Sequence, residues 1–289
     1  MTELREPLRV EAVRVPESGL ATEARAAAVV WQREMIRFVK DRARILSSLA
    51  QPLLFLFVLG SGLGSLLGSS GSGVALPTFL FPGVLAISVL FTAAFSGISI
   101  VWDREFGFLR EMLVAPVSTT SILVGKAVGG STVATLQCVL LLALAGLVGV
   151  PYDPLMFLEL LVLIFLMAFM ICCLGLMLAA RLKQVQTAMP MVQLIITPLM
   201  FLSGALFPLG NLPTWLTVLT HVNPMTYAVE PLRHVVFSRL DVSAADLARY
   251  DPGIRWGSFL VPTWLEILLT IAFSALLLAL AVTRFRRTE

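Results

Sequence analysis

Six long apolar runs constrain this chain more than any other feature of its sequence. Each run has about the 20 residues that a helix needs to cross roughly 30 Å of hydrocarbon. The runs are approximately 45–67, 79–101, 127–150, 155–180, 187–207 and 261–282. Of the 289 residues, 58% are hydrophobic and only 13% are charged. The sequence therefore predicts an all-α membrane protein with six transmembrane helices in one domain, residues 22–289, after a disordered tail at residues 1–21.

The basic residues predict how these helices are oriented, because Lys and Arg concentrate on the cytoplasmic side of membrane proteins. Of the 21 basic residues, 17 lie before the first run, in the second and fourth loops, or in the C-terminal tail. We therefore expect both termini in the cytoplasm and the long fifth loop outside the cell. The expected location is the cell membrane, such as a prokaryotic inner membrane. The net charge of +3 then reflects orientation and does not indicate nucleic-acid binding. The first 20 residues lack an apolar core, so we do not expect a cleaved signal peptide.

No motif predicts catalysis or a metal site. Gly125-Lys126 is followed by Ala127, so the hydroxyl of a phosphate-binding loop is missing. The two histidines, His221 and His234, have no plausible cluster of metal ligands around them in the sequence, and a structural role in the loop is the simpler interpretation. We expect no catalytic residues, no metal and no cofactor in this chain.

Few polar side chains fall within the apolar runs. Glu159 and Glu266 lie about one turn inside the outer boundaries, where we expect their carboxylates to reach the headgroups. Gln137 and Gln193 lie near mid-span, and either interhelical hydrogen bonds or contact with a substrate would explain them. An ion relay would need ionisable groups at mid-membrane depth, so the energy for any transport is expected from outside this chain.

Two segments on the cytoplasmic side have the pattern of amphipathic helices. Residues 22–42 place apolar side chains at helical spacing and predict a helix lying in the inner membrane interface. A juxtamembrane helix that only orients the first span fits the pattern equally well, and the two roles are compatible. In the loop 101–126, Phe106 and later apolar residues form a stripe among charges of both signs, and Pro116 ends the helix. Ser118 is expected to cap the third span. This loop suits a cytoplasmic partner, although a solvated connector fits the pattern as well.

The segment after the fifth run, 201–233, is half apolar and broken by proline and glycine. It is too short to cross the membrane again, and such a backbone is tolerated near a bilayer only beside protein or a water-lined cavity.

Two motifs resemble those of type-2 ABC exporter permeases, in the branch that includes daunorubicin-resistance and nodulation-factor exporters. In the second loop, Asp103-Arg-Glu-Phe-Gly-Phe-Leu-Arg-Glu-Met-Leu-Val-Ala-Pro116 is similar to the family's pattern, with departures at Asp103, Phe108 and Arg110. The second motif lies in 203–233 and corresponds to the short re-entrant external helices of the family.

The resemblance implies a set of partners and sites. It implies two separately encoded ABC ATPase subunits that bind ATP and Mg, a second permease protomer, either identical or related, and the lipid bilayer. The residues expected to couple the chain to the ATPase are Trp102, Asp103, Arg104, Glu105, Phe106, Gly107, Glu111 and Pro116. Those expected to line an apolar path are Phe91, Phe95, Met191, Leu194, Met200 and Phe201. Those expected in the external re-entrant segment are Phe207, Pro208, Pro213, Trp215, Asn223, Pro224, Tyr227, Glu230 and Arg233.

The resulting hypothesis is the membrane subunit of an exporter for a hydrophobic drug, antibiotic or lipid-like compound. A polysaccharide or lipid-linked glycan exporter remains an alternative within the family. A membrane scaffold or channel subunit that works without an ATPase is an alternative of another class, and an intramembrane enzyme is a more remote one.

Overall fold

The computed structural model describes residues 19–60, 62, 75–108, 117–210, 212–240 and 243–288. Most of these residues are helical. The helices are α1 (Leu20–Lys40), α2 (Arg42–Leu54), α3 (Leu76–Glu105), α4 (Thr119–Leu142), α5 (Pro154–Ala179), α6 (Val185–Phe201), α7 (Thr214–Val222), α8 (Pro224–Phe237), α9 (Ala244–Tyr250) and α10 (Thr263–Thr288). A π-helical turn, Phe55–Leu59, follows α2, and a 3₁₀ turn, Ala145–Val148, follows α4. Strands β1 (Arg255–Trp256) and β2 (Phe259–Leu260) pair antiparallel, with Arg255 opposite Leu260.

Four helices in the described part of the chain, α3, α4, α5 and α10, are long and apolar enough to cross a bilayer. Helix α1 and the segment Ile45–Leu59, which meet at 74°, would make a fifth if they are counted as one broken span. Helix α6 is apolar but has only 17 residues. The chain is therefore a multi-pass helical membrane protein with four or five candidate spans in these residues. The count of six stays a prediction, and the end of the first run lies outside the described residues.

Helix α4 begins eight residues before the apolar run that predicts it, because its N-terminus is capped by polar groups. The Ser118 hydroxyl accepts a hydrogen bond from the Ser121 amide at 3.2 Å, as the sequence predicts. The helix also ends early, at Leu142, and a 3₁₀ turn replaces its last predicted turns. Thr78 at the start of α3 binds that turn by donating to the Val148 carbonyl at 2.6 Å.

Helix α3 lies at the centre of the bundle, and almost its whole length is buried. It packs against α4, α5, α6 and α8. Two glycines allow neighbouring backbones to approach it closely. A Cβ on Gly97 would lie 2.4 Å from the Cys172 carbonyl oxygen of α5, and one on Gly83 would lie 1.8 Å from the Ala205 carbonyl oxygen. Small residues at helix contacts are typical of membrane helices, which associate through close packing.

Two ends of the bundle can be defined by residues at the two ends of α3. Arg233 of α8 stacks over the Phe79 ring near the start of α3, with 5.3 Å between its guanidinium carbon and the ring centroid. Asp103 lies in the last turn of α3. The rise of an α-helix separates Phe79 and Asp103 by about 36 Å, roughly the thickness of a bilayer. We call these the Arg233 end and the Asp103 end.

Helices α7, α8 and α9 cover the Arg233 end. Helix α8 is almost completely buried and packs against α5 and α10, whereas α7 keeps much of its apolar surface exposed. The chain enters this region through a turn at Gly204, whose φ of 74° favours glycine. The structure thus shows two short helices, α7 and α8, after the fifth run. Their depth in the membrane stays a prediction.

Helix α1 covers Leu20–Lys40, close to the predicted 22–42. It lies against α4, and the chain bends sharply after it. The buried positions of α1 are Val30 and Glu34. The apolar pattern predicts Val30 at the buried face, but it does not predict a buried carboxylate.

Candidate functional site

Three consecutive residues at the C-terminal end of α3 contact three different parts of the bundle. Asp103, Arg104 and Glu105 are among the residues expected to couple the chain to an ATPase. In the structure, each of them has partners within this chain. We call them the α3 hub.

Asp103, the first hub residue, is 1% exposed and binds cations from two other helices. Its Oδ2 lies 2.7 Å from Nζ of Lys126 in α4. Its Oδ1 accepts a hydrogen bond from NH2 of Arg33 at 2.7 Å and lies 3.5 Å from NH2 of Arg37, both in α1. Burial of a carboxylate is tolerable only when cations compensate its charge, so Asp103 needs both helices in place.

Lys126 is as deeply buried as Asp103 and extends the cluster. Its ammonium group donates to Oε1 of Glu34 at 3.0 Å and to Oγ of Ser99 at 2.7 Å. Two carboxylates and a hydroxyl therefore surround one ammonium group inside the protein. This cluster links α1, α3 and α4 at the Asp103 end.

Arg104, the second hub residue, binds the C-terminus of α5. Its NH1 donates to the carbonyl oxygens of Ala179 at 3.1 Å and Leu182 at 2.7 Å. A cation is favourable there because the last carbonyls of a helix lack helical partners and carry partial negative charge. The same guanidinium lies over the ring of Phe285 in α10, 5.1 Å from its centroid. Arg104 thus joins α3 to two more helices.

Glu105, the third hub residue, binds the N-terminus of α6. Its Oε2 accepts a hydrogen bond from the Val185 amide at 2.9 Å, and a carboxylate is favoured at that position by the unpaired amides. A charge reversal at Glu105 would therefore disturb α6 as well as any partner.

The residues that follow the hub turn away from the bundle. Gly107 has a φ of 83°, a left-handed conformation that glycine adopts without strain. Phe106 is 70% exposed and Phe108 is 48% exposed, whereas Trp102 is half-buried against the core. Two aromatic rings are thus presented at the Asp103 end. Glu111 and Pro116, which belong to the same predicted coupling segment, lie outside the described residues.

Two glycines of α4 allow α1 to pack closely against it, and we call them the glycine seat of α1. A Cβ on Gly125 would lie 2.6 Å from the Ala27 carbonyl oxygen, and one on Gly129 would lie 3.0 Å from the side chain of Glu34. Close approach lets Glu34 reach Lys126, one residue after Gly125. The Gly125-Lys126 pair therefore works as a unit, in which the glycine admits the helix and the lysine binds it.

A second contact fixes the start of α1. Glu23 accepts hydrogen bonds from the Ser118 hydroxyl at 2.6 Å and from the Ser118 amide, at the N-terminus of α4. The hydrogen bond from the Ser118 hydroxyl, followed by those from Ser121 and the Ser118 amide, holds the pKa of Glu23 below its usual value. Glu23 and Glu34 therefore hold α1 on α4 at points 11 residues apart.

The residues predicted to line a path lie in three different settings in the structure. Phe91 and Phe95 of α3 stack, with ring centroids 6.4 Å apart, and line a cavity with residues of α1, α2 and α4. Among the described residues that line this cavity, none belongs to α6. Met191, Leu194 and Phe201 lie on the exposed face of α6. Met200 is buried and points into the core, because α6 packs one of its faces against α3.

Several residues of the predicted external segment hold its two helices together. Asn223 caps α8 by accepting from the Met225 amide at 3.0 Å and donates to the Leu199 carbonyl of α6 at 2.9 Å. Tyr227 donates to the His221 carbonyl at 2.8 Å and accepts from Trp256 Nε1 at 3.1 Å.

Glu230 and Arg233 of that segment form a buried ion pair. Arg233 NH1 donates to Oε2 of Glu230 at 3.1 Å, and its NH2 donates to the Gly204 carbonyl. Phe207 and Pro208 are half-buried nearby in the chain, Pro213 precedes α7, and Pro224 opens α8. Trp215 is exposed on α7.

Glu266 is more deeply buried than the sequence predicts. The sequence predicts that its carboxylate reaches the headgroups, but the residue is only 2% exposed. It lies in the first turn of α10, where a carboxylate is favoured. Glu159 is half-exposed, as expected near a span end, and its carboxylate lies 3.5 Å from Arg239.

Sequence reasoning missed Glu34 and Lys126 as members of one cluster. Lys126 was considered as a cytoplasmic charge and as part of an incomplete phosphate-binding loop, and the amphipathic pattern of α1 assigns no role to Glu34. The only signal was the position of Lys126 within an otherwise uncharged helix. In the described residues, no group of three or more His, Cys, Asp or Glu side chains could hold a metal ion.

The sequence of this chain is similar to those of known transport proteins. The family model described as "ABC-2 type transporter" matches residues 25–237. The chain is 30% identical over 210 residues to the ycf38 transport permease of Cyanophora paradoxa, covering 71% of this chain and 72% of that protein. It is also 30% identical over 210 residues to Nodulation protein J of Rhizobium leguminosarum bv. trifolii, covering 72% of this chain and 79% of that protein. Nodulation protein J of Rhizobium meliloti (strain 1021) is 30% identical over 218 residues.

Proposed function

This chain belongs to the ABC-2 type transporter family, and we propose that it is the membrane permease of an exporter whose ATP is hydrolysed by a separate subunit. The family and the permeases among its relatives support a membrane transport subunit without catalytic residues of its own. The proposal goes further in three respects: the partner and where it docks, the direction of transport, and the class of compound. A complex of two ATPase subunits and two permease protomers is the expected assembly.

The Asp103 end faces the cytoplasm in this proposal. The basic residues that predict orientation include Arg33 and Arg37 of α1 and Arg286 of α10, and the structure brings all three to this end. Arg33 and Arg37 bind Asp103, and Arg286 NH2 donates to the Thr120 hydroxyl at the start of α4 at 3.3 Å. An ATPase in the cytoplasm would meet this end of the bundle.

The observation that carries the proposal is the exposed aromatic pair Phe106 and Phe108 beside the α3 hub. Aromatic side chains are enriched in the energetically dominant centres of protein interfaces. Here the pair belongs to the segment whose sequence resembles the coupling helix of the family. The hub residues before these rings are each bound to another helix, Asp103 and Arg104 through buried or half-buried contacts and Glu105 through an exposed one.

The hub explains how movement of a docked ATPase would reach the membrane. Asp103 joins the segment to α1 and α4, Arg104 joins it to α5 and α10, and Glu105 joins it to α6. A displacement of Phe106 and Phe108 would therefore act on five helices through α3. ATP can shift the permease between states because the ATPase binds it with different affinity in each state.

The exposed face of α6 supports an apolar ligand or a second protomer. Met191, Leu194 and Phe201 present apolar side chains on this face, among them the unbranched Met191 and the aromatic Phe201, and α6 makes its contacts mainly with α3. Flexible Met and flat aromatic rings suit varied hydrophobic partners. A hydrophobic drug, antibiotic or lipid-like compound is therefore the proposed cargo, in preference to a glycan.

The docking proposal is tested by affinity purification of the tagged full-length permease from native membranes. The test variant is Phe106→Ser with Phe108→Ser, and its matched control is Trp215→Ser with Val218→Ser, two exposed residues of α7 at the Arg233 end. We expect a nucleotide-binding subunit to co-purify with the wild type and the control. Its amount should fall about tenfold in the test variant, since two interface aromatics contribute on the order of 1.4 kcal/mol or more.

Two results would contradict the proposal. One is a permease that purifies without any nucleotide-binding protein under gentle extraction, which favours a scaffold or channel subunit. The other is an unchanged amount of ATPase in the Phe106/Phe108 variant, which would place the docking surface elsewhere. Equal yield and equal thermal stability of the two double variants are required for either conclusion.

A further inference from the structure

A cavity of about 170 Å³ lies between α1, α2, α3 and α4, and two residues predicted to line a path, Phe91 and Phe95, line it. It lies where the chain turns from α1 into α2, because Phe38 of α1 and Ile45 of α2 both line it. Ser47 and Gln51 are exposed at its edge, so it communicates with the surroundings of the bundle.

The polar side of the cavity is built around a carbonyl group that proline leaves without a helical partner. Pro52 lies inside α2 and has no amide hydrogen, so the Ser48 carbonyl four residues earlier cannot form its helical hydrogen bond. Gln137 of α4 reaches across and donates to this carbonyl through Nε2 at 3.3 Å. Nε2 also lies 3.2 Å from the Ser88 hydroxyl, to which it donates.

The amide oxygen of Gln137, Oε1, can accept a further hydrogen bond. It accepts one hydrogen bond, from the Thr92 hydroxyl at 2.7 Å. An amide oxygen can accept two. Gln137 is 2% exposed, so its position is fixed by the surrounding helices. The cavity therefore contains a preorganised amide whose oxygen can accept one more hydrogen bond from a ligand.

Three aromatic side chains also line the cavity. The stacked rings of Phe91 and Phe95 lie on α3, and Phe38 approaches from α1. A cavity of about 150 Å³ is large enough for benzene, so this one accommodates a single ring or an equivalent length of alkyl chain. A larger molecule would place one segment here and leave the rest outside.

No charged side chain is among the described residues that line the cavity. An ionised ligand would lose its hydration without gaining a counter-ion, whereas a hydroxyl or amide would find hydrogen-bond partners. We propose that this cavity is a binding site for a neutral amphipathic molecule, with its hydroxyl or amide group at Gln137 and its apolar part on Phe91 and Phe95. The site is separate from the α6 face, and the inference does not depend on the proposed transport function.

The test is photo-crosslinking of the purified full-length permease in lipid nanodiscs. Three probes share one diazirine-bearing alkyl chain and differ in their headgroup, which is a hydroxyl, a carboxylate or an ammonium group. Labelled peptides are quantified by mass spectrometry. We expect the alcohol to label the peptides around Phe91–Phe95 and Gln137 about fivefold more than either charged probe, because the cavity offers no counter-ion.

Two variants locate the labelling within the cavity. Ser48→Trp fills the cavity, and Ser47→Trp blocks its exposed edge with less disturbance of the packing. The matched control is Leu46→Trp, an exposed position of the same helix that is not among the residues lining the cavity. We expect both cavity variants to reduce labelling of these peptides about fivefold, as an occluded cavity loses its ligand, and the control to retain it.

The source of the natural ligand is identified by extracting lipids from the purified wild type and the Ser47→Trp variant. A neutral lipid present only in the wild type identifies a membrane lipid as the occupant, and its absence with retained labelling identifies a compound that enters from elsewhere. Both results support the site. Equal labelling by all three probes overturns the proposal. It is also overturned if a cavity variant that folds like the control is labelled as strongly as the control.

Discussion

Lys126 shows how one residue can determine the arrangement of several helices. Its ammonium group lies within 3.0 Å of oxygen atoms of Glu34, Ser99 and Asp103, and it is 1% exposed. A buried ammonium group is costly in isolation, and here each partner comes from α1 or α3. The position of α1 on the bundle is thus linked to the charge balance of one cluster.

Replacement of Lys126 by Met should destabilise the permease strongly. Removal of one partner from a buried ion cluster leaves uncompensated charge, and the expected loss in the free energy of unfolding is about 3 kcal/mol. The measurement is thermal unfolding of the purified permease in detergent. Lys183→Met, at an exposed lysine, is the matched control and should change stability by less than about 0.5 kcal/mol.

The double variant Lys126→Met with Glu34→Gln separates lost charge balance from lost packing. Since it removes one positive and one negative charge together, it should be more stable than Lys126→Met alone. A double variant that is as unstable as the sum of its single changes would contradict a coupled cluster.

His234 predicts a pH dependence at the Arg233 end. Its Nδ1 lies 2.9 Å from Oδ2 of Asp251, and this hydrogen bond, helped by the charges of Asp251 and Glu230, raises the pKa of His234. Because the pKa is higher in the folded state, the stabilisation is complete below about pH 6.5, the ordinary value, and is lost as pH rises through the folded pKa. The side chain is 55% exposed, so the effect should stay below about 1 kcal/mol.

The corresponding measurement compares thermal unfolding of the wild type and His234→Gln at pH 5.5 and pH 9. The variant should be less stable than the wild type at the lower pH, and the difference should shrink at the higher one. A difference that is constant, or larger at pH 9, would show that the histidine does not gain a proton on pairing with Asp251.

At the scale of the element, α1 is held by shape as well as by charge. Gly125 and Gly129 lie one turn apart on α4 and leave room for the backbone of α1, while Glu23 and Glu34 bind polar groups of α4. A helix with charged residues on its buried side can pack this way only where its partner provides both room and counter-charges.

Gly125→Ala should weaken the contact between α1 and α4. The added methyl group would lie 2.6 Å from the Ala27 carbonyl oxygen, and overpacking of this kind costs about 1–3 kcal/mol. Gly62→Ala is the matched control, because its added carbon would have nothing within 4 Å. Limited proteolysis should cut α1 faster in the Gly125 variant than in the control, and equal rates would show that α1 does not depend on this seat.

The hydropathy of the sequence predicted the helices that are long enough to cross a bilayer. It did not predict the contacts that depend on the pairing of particular polar residues. α3, α4, α5 and α10 follow directly from apolar runs, and Ser118 correctly predicted a cap. The pairing of Glu34 with Lys126 could not be predicted, because these residues are 92 positions apart and an amphipathic pattern assigns charges to solvent. Met200 was expected to line a path, and the structure buries it in the core. Composition identifies an apolar helix without telling which of its faces packs against α3.

At the scale of the whole molecule, α3 connects two differently built ends. The Asp103 end carries a buried charge cluster, the α3 hub and two exposed aromatic rings. The Arg233 end is covered by short helices around the Glu230–Arg233 ion pair. In the proposed function, a cytoplasmic ATPase binds the Asp103 end and not the Arg233 end.

The most direct measurement introduces the photoreactive residue benzoylphenylalanine at Phe108 or, as the matched control, at Trp215. Both positions are exposed aromatics, one at each end. After irradiation in native membranes, we expect a covalent adduct between the permease and a nucleotide-binding subunit from Phe108 and none from Trp215. An adduct from Trp215, or no adduct from Phe108 while an ATPase co-purifies, would contradict the assignment of the Asp103 end as the docking site.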